Sequence, residues 1–99
     1  MLVHNVFFSL RKDLSDSEIK DFETGLSSLK AISHADSVYI GSPAPVAERP
    51  VLDRDYDFCL TVLLKDVEAH NAYQADSIHQ AFIGGNKEKW TQVRVFDAS

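Results

Sequence analysis

Cysteine occurs once, at Cys59, so no disulfide framework can staple this chain. A lone thiol fits a reducing compartment, and the cytoplasm is the expected location. Proline occurs three times, always between residues 42 and 54, which leaves the rest of the chain free for regular structure. No apolar run approaches the roughly 20 residues needed to span a bilayer, and no membrane partner is expected. Basic clusters are short. Arg11-Lys12 and the stretch Lys87 to Lys89 are the strongest, and the net charge is −5, which argues against a phosphate-tracking surface and a nucleic-acid partner. No glycine-rich loop opens a helix, since Gly84-Gly85 follows a helical pattern, so no phosphate-bearing cofactor is expected. No histidine or cysteine spacing resembles a zinc site. Asp53, Asp55 and Asp57 lie in or beside a loop where a weakly held oxygen-ligated cation is conceivable, but no metal is expected. The start, MLVHNVFFSL, lacks the basic leader and small-residue cleavage site of a signal peptide and reads as a strand.

What is present describes one ordinary globular domain over residues 1–99, with 44% hydrophobic and 25% charged residues. Residues 2–10 alternate in the period of a strand, with Leu2, His4, Val6, Phe8 and Leu10 on one face and Val3, Asn5, Phe7 and Ser9 on the other. Ser15 and Glu18 stand at capping-box spacing, flanked by Leu14 and Ile19 as a hydrophobic staple. Ile19, Phe22, Leu26, Leu29 and Ile32 then recur every three or four residues, the stripe of an amphipathic helix. A short strand is predicted over 35–41, a proline-bearing loop over 42–54, and a third strand over 56–64 that is apolar on both faces. Asp66 caps a second helical region. A further capping box, Ser77 with Gln80, predicts a break near residues 75–77, and Gly84-Gly85 is the expected end. Residues 90–97 supply the last strand.

The order strand, helix, strand, strand, helix, strand predicts an α+β, ferredoxin-like βαββαβ fold, an antiparallel sheet with two helical segments on one face. Helices cover only one face, yet the first and third strands carry large apolar groups on both. An exposed patch of that extent invites a partner, so the expected unit is a homodimer whose two sheets close into a dimeric α/β barrel.

The start HNVFF at His4 to Phe8, the first helix ending in LKAI, VYIGS at Val38 to Ser42, AYQADSIHQAF at Ala72 to Phe82 and the closing VRVFD together resemble the stress-responsive dimeric α/β barrel (Dabb) family over nearly the whole chain. The resemblance implies a ferredoxin-like subunit and a homodimer. Members include plant stress-induced proteins, uncharacterised bacterial proteins and a few polyketide cyclases. In those cyclases a tyrosine and a histidine on the broken second helix, with a histidine on the first strand, act as an acid–base set on a carbonyl substrate. The matching positions here are Tyr73, His79 and His4. The chain departs from the pattern at Asp76-Ser77, where the family usually has His-Pro, and at Phe58, where the cyclase pattern places a histidine.

On an unbroken helix, Tyr73 and His79 would lie about 120° apart, so only the break can bring them together. An imidazole near its own pKa could then abstract a proton while the phenol donates to a developing enolate. The alternative is that these groups satisfy one another and close the core. His4 is expected on the helix-facing side of its strand, leaving Asn5 and Phe7 for the dimer barrel. His34 and His70 read as inert surface residues, and Cys59 as a small core residue. Two functions stand: a stress-associated homodimeric barrel with a small-molecule pocket and no established reaction, or a cofactor-independent cyclase, lyase or isomerase using Tyr73, His79 and His4. A polar cavity lined by all three would favour the enzyme, and a dry packed core the binding protein.

Overall fold

The computed structural model describes residues 1–99. Strand β1 (Leu2–Leu10) pairs antiparallel with β3 (Phe58–Leu64) on one side and β4 (Trp90–Ala98) on the other. Strand β2 (Ala35–Gly41) adds to the far side of β3, giving the order β2-β3-β1-β4. The period-two alternation of β1 is reproduced in its burial: Leu2, His4, Val6, Phe8 and Leu10 are all buried and the residues between them only partly so.

Helix α1 (Asp16–Ser28) starts where its caps say it should. Ser15 Oγ accepts from the Glu18 N–H, and the Glu18 carboxylate accepts in turn from the Ser15 N–H at 3.0 Å. The apolar stripe then docks on the sheet: Phe22, Leu26, Leu29 and Ile32 are buried against Val6, Phe8, Leu60, Val62 and Leu64. Full burial of a ring such as Phe22 contributes about 1.5–3 kcal/mol. Phe22 meets Phe8, Phe82, Phe58 and Trp90 at ring separations of 5.3 to 6.3 Å, so one aromatic cluster ties helix to sheet.

The second helical region divides into α2 (Val67–Ala75) and α3 (Ser77–Asn86). Asp66 caps α2 by accepting from the Ala69 N–H. The break falls where expected, but its cap is Asp76 rather than Ser77. Asp76 takes an extended conformation and its carboxylate accepts from the Ile78 N–H at 2.8 Å, so Ser77 is already the first helical residue. Gln80 reaches back to the Gln74 carbonyl instead of closing a box. Gly84-Gly85 does not end α3 either. Neither glycine has a positive φ, and the helix runs on to Asn86, whose buried amide donates to the Phe82 carbonyl at 3.0 Å. Gly25 of α1 matters more, because a Cβ there would stand 2.9 Å from Asn86 Nδ2 and 3.0 Å from Phe82, so α1 and α3 touch through it.

Strand β3 begins at Phe58, two residues later than the pattern suggested. Tyr56 is held in a turn on Arg54, and the Asp57 carboxylate caps the Leu10 N–H at 2.7 Å instead of continuing the alternation. No helix is long and apolar enough to cross a membrane. Within one chain the sheet is open rather than a closed barrel, with β2 and β4 as its edges. Its uncovered face presents Val3, Phe7, Leu63 and Cys59, with Tyr39 and Phe96 more than half exposed.

Candidate functional site

The site begins with a register. Pairing of β1 with β4 sets His4 opposite Asp97, Val6 opposite Val95 and Phe8 opposite Val93, all on the helix-covered face. His4 Nδ1 lies 2.5 Å from Asp97 Oδ1. An ionised carboxylate can only accept, so Nδ1 carries the hydrogen and the Nε2 lone pair is left free. That lone pair meets the Gln74 amide, which donates a long hydrogen bond at 3.5 Å. Carboxylate, imidazole and amide therefore form one relay from the sheet edge to the end of α2.

The break at Asp76 does for Tyr73 and His79 what an unbroken helix could not. Their rings stand 5.0 Å apart, and the Tyr73 ring lies 5.9 Å from that of His4. All three side chains are buried. Burial pushes the Tyr73 phenol far above its ordinary value, and its hydroxyl has no hydrogen-bond partner. Burial also lowers the His79 pKa, with His4 and His70 adding to the effect and Asp76 opposing it. His79 Nδ1 is likewise unpartnered.

Between α3 and the β1–β4 side of the sheet lies a cavity of about 140 Å³. His4, Gln74 and His79 supply its polar groups, and Val6, Phe8, Phe82, Ile83, Trp90 and Val93 are among its apolar walls. Val95, 50% exposed on the edge strand, is where it reaches solvent. Tyr73 packs against both imidazoles but is not part of the wall. Phe58 does not fill the space, because its ring stacks on Phe22 instead.

His70 is not a surface residue. Its side chain is only 20% exposed, its ring meets that of His4 edge-on at 5.2 Å, and its Nε2 lies 3.8 Å from Asp97 Oδ2. The signal for it was present in the sequence, since His70 precedes Tyr73 by one helical turn and so shares its face. Asp97 and Gln74 carried no such signal. His34 is exposed, as expected.

Compared with known families, residues 2–99 match the profile of the stress responsive A/B barrel domain. The chain belongs to that family. No curated protein matches the sequence. Among solved structures, a dimeric ferredoxin-like protein of unknown function from Thermobifida fusca YX superposes with a TM-score of 0.82 at 19% identity, covering 99% of this chain and 89% of the other. A Dabb family protein with a ferredoxin-like fold from Mesorhizobium loti gives 0.80 at 21% identity, covering 99% and 94%. A hydroxynitrile lyase from Passiflora edulis gives 0.81 at 14% identity, covering 98% and 90%. At these identities the likeness is one of fold. This member of the A/B barrel family thus combines the shared sheet and helices with a histidine-rich polar end on an apolar cavity.

Proposed function

We propose that residues 1–99 act as one domain that binds a small, largely apolar molecule bearing one hydroxyl or carbonyl group. One observation carries this reading: the cavity is apolar along its walls and polar only where His4, Gln74 and His79 meet. Its volume of about 140 Å³ is close to that of an engineered cavity of about 150 Å³ that holds a benzene-sized guest. The unpartnered His79 Nδ1 at that end favours a guest that satisfies it, because a buried group left without a partner costs about 1–3 kcal/mol. Titration with phenol and with toluene, followed by the ring resonances of Trp90 and His79, tests the reading. Phenol should bind more tightly than toluene, and Val95→Trp, which closes the mouth, should abolish both. Equal or absent response to the two probes would overturn it.

The working unit is a homodimer joined through the open sheet face. Exposed Tyr39 and Phe96, with Phe7 and Leu63 between them, form an apolar surface of the kind that associates, and the Thermobifida fusca neighbour is itself described as dimeric. Light scattering at micromolar concentration should exceed the 11.1 kDa of a single chain about twofold, and a monomer would refute the dimer.

A second reading, a cofactor-independent lyase, isomerase or cyclase acting on a carbonyl compound, is favoured by the carboxylate-oriented imidazole at His4. In it, His4 Nε2 takes a proton from the carbon beside the carbonyl, His79 serves the oxygen, and Tyr73 supports both rings from behind. The Passiflora edulis neighbour supports it weakly. Exchange of that carbon-bound hydrogen with deuterated solvent, lost in both His4→Ala and His79→Ala, would favour the enzyme. Binding without exchange would leave the binding protein.

A further inference from the structure

We propose that His4, His70 and Asp97 form a binding site for one zinc-class divalent ion, on the opposite side of the His4 ring from the cavity. The ligand atoms of these three side chains all lie within 4.8 Å of one another. Two imidazoles and one carboxylate form a donor set suited to zinc and neighbouring transition ions rather than to magnesium or calcium. A fourth position is left for water.

The hydrogen bonds around His70 supply an independent argument. Asn71 Oδ1 lies 3.2 Å from His70 Nδ1 and accepts from it, so the proton sits on Nδ1 and the Nε2 lone pair is bare. That Nε2 is buried, has no hydrogen-bond partner, and stands 3.8 Å from Asp97 Oδ2. A lone pair facing a carboxylate is electrostatically unfavourable unless something positive lies between them. A proton would serve poorly, because 3.8 Å is beyond hydrogen-bond reach. A cation held by both atoms resolves the arrangement, and Asn71 then becomes the outer partner that orients a metal-bound imidazole.

His4 completes the set through Nδ1. In the metal-free protein that atom shares a hydrogen with Asp97 Oδ1 at 2.5 Å. Ligation releases this proton to solvent and spreads the two atoms to about 3 Å or more, as bonds of about 2 Å to a common ion require. His4 stays neutral by taking a proton from solvent on Nε2, so Gln74 must turn its amide oxygen inward to accept from it. Asp97, with a side chain 39% exposed, provides the entry side for the ion.

The test uses the full chain, stripped of metal by a chelator and dialysed, then titrated calorimetrically with zinc chloride and with magnesium chloride. Zinc should bind at one ion per chain and magnesium should not. His70→Ala and Asp97→Asn should each weaken zinc binding at least tenfold, while His34→Ala should leave it unchanged. Imidazole nitrogen resonances of the unaltered protein give a readout that needs no variant: zinc should move His70 Nε2 and His4 Nδ1 and leave His34 in place. Absence of zinc uptake by the folded wild-type chain would overturn the site, as would uptake that shifts other histidines instead. Phenol binding in the cavity is measured separately, so failure of one proposal is distinguishable from failure of the other.

Discussion

His4 and Asp97, 93 positions apart in the chain, meet at 2.5 Å across neighbouring strands. The pair joins a fully enclosed ring to a carboxylate at the sheet edge, and it fixes which nitrogen of His4 faces the cavity. Replacing the carboxylate with Asp97→Ala should free the ring to change tautomer and destabilise the fold by about 1–3 kcal/mol, the cost of a buried polar group losing its partner. Nitrogen-detected NMR should show hydrogen on Nδ1 of His4 in the wild type and a mixture in the variant. An unchanged tautomer would mean that Gln74 alone orients the ring.

The two helix starts separate by their caps. Ser15→Ala should cost about 1 kcal/mol, because both halves of its reciprocal cap are formed. Asp76→Ala should cost a similar amount, whereas Ser77→Ala should be nearly neutral, since the hydroxyl of Ser77 caps nothing. Denaturant midpoints of the three variants check the ranking. A large loss from Ser77→Ala would relocate the cap.

Stability should fall as the pH is lowered through the histidine range, with His79 as one source. Burial holds its folded pKa below the ordinary 6.5, so the unfolded chain binds the proton more readily. The contribution of His79 is therefore complete above about pH 6.5 and is lost progressively below it, until the pH reaches the lowered folded value. Melting temperatures measured between about pH 7 and about pH 5 with chelator present should decline, and the decline should be shallower in His79→Leu. Equal slopes in the two proteins would assign the effect elsewhere.

Gly25→Val should destabilise by about 1–3 kcal/mol, in spite of the better helix propensity of the new residue. Added atoms would drive into Asn86 Nδ2 and the Phe82 ring, and Phe82 is also a wall of the cavity. The same variant should therefore alter phenol binding, and unaltered stability would show that α3 can recede.

The elements were legible in the sequence where local chemistry determines them. Alternation gave β1, the Ser15–Glu18 box gave the start of α1, and the break before His79 followed from cap residues clustered at one place. Legibility ended where geometry depends on distant pairing. Asp97 is one acid among several until β4 is set against β1, and only that register puts it beside His4. His70 looked solvated because its neighbours Glu68 and Asn71 are polar, yet the helix turns it toward the ring of His4. Ser77 and Gln80 matched the capping pattern, but it is the adjacent Asp76 that stays extended at the break and accepts from the Ile78 N–H, with Ser77 already inside the helix.

The β1–β4 register also guards against misassembly. A slip of one residue would exchange the two faces of β4, placing Phe96 under the helices and carrying Asp97 to the open side. Hydrophobic burial alone would punish such an error weakly, because Val95 and Phe96 are both apolar and both half exposed. An enclosed imidazole stripped of its carboxylate is a sharper penalty, so the polar pair that equips the cavity also proofreads the closing strand.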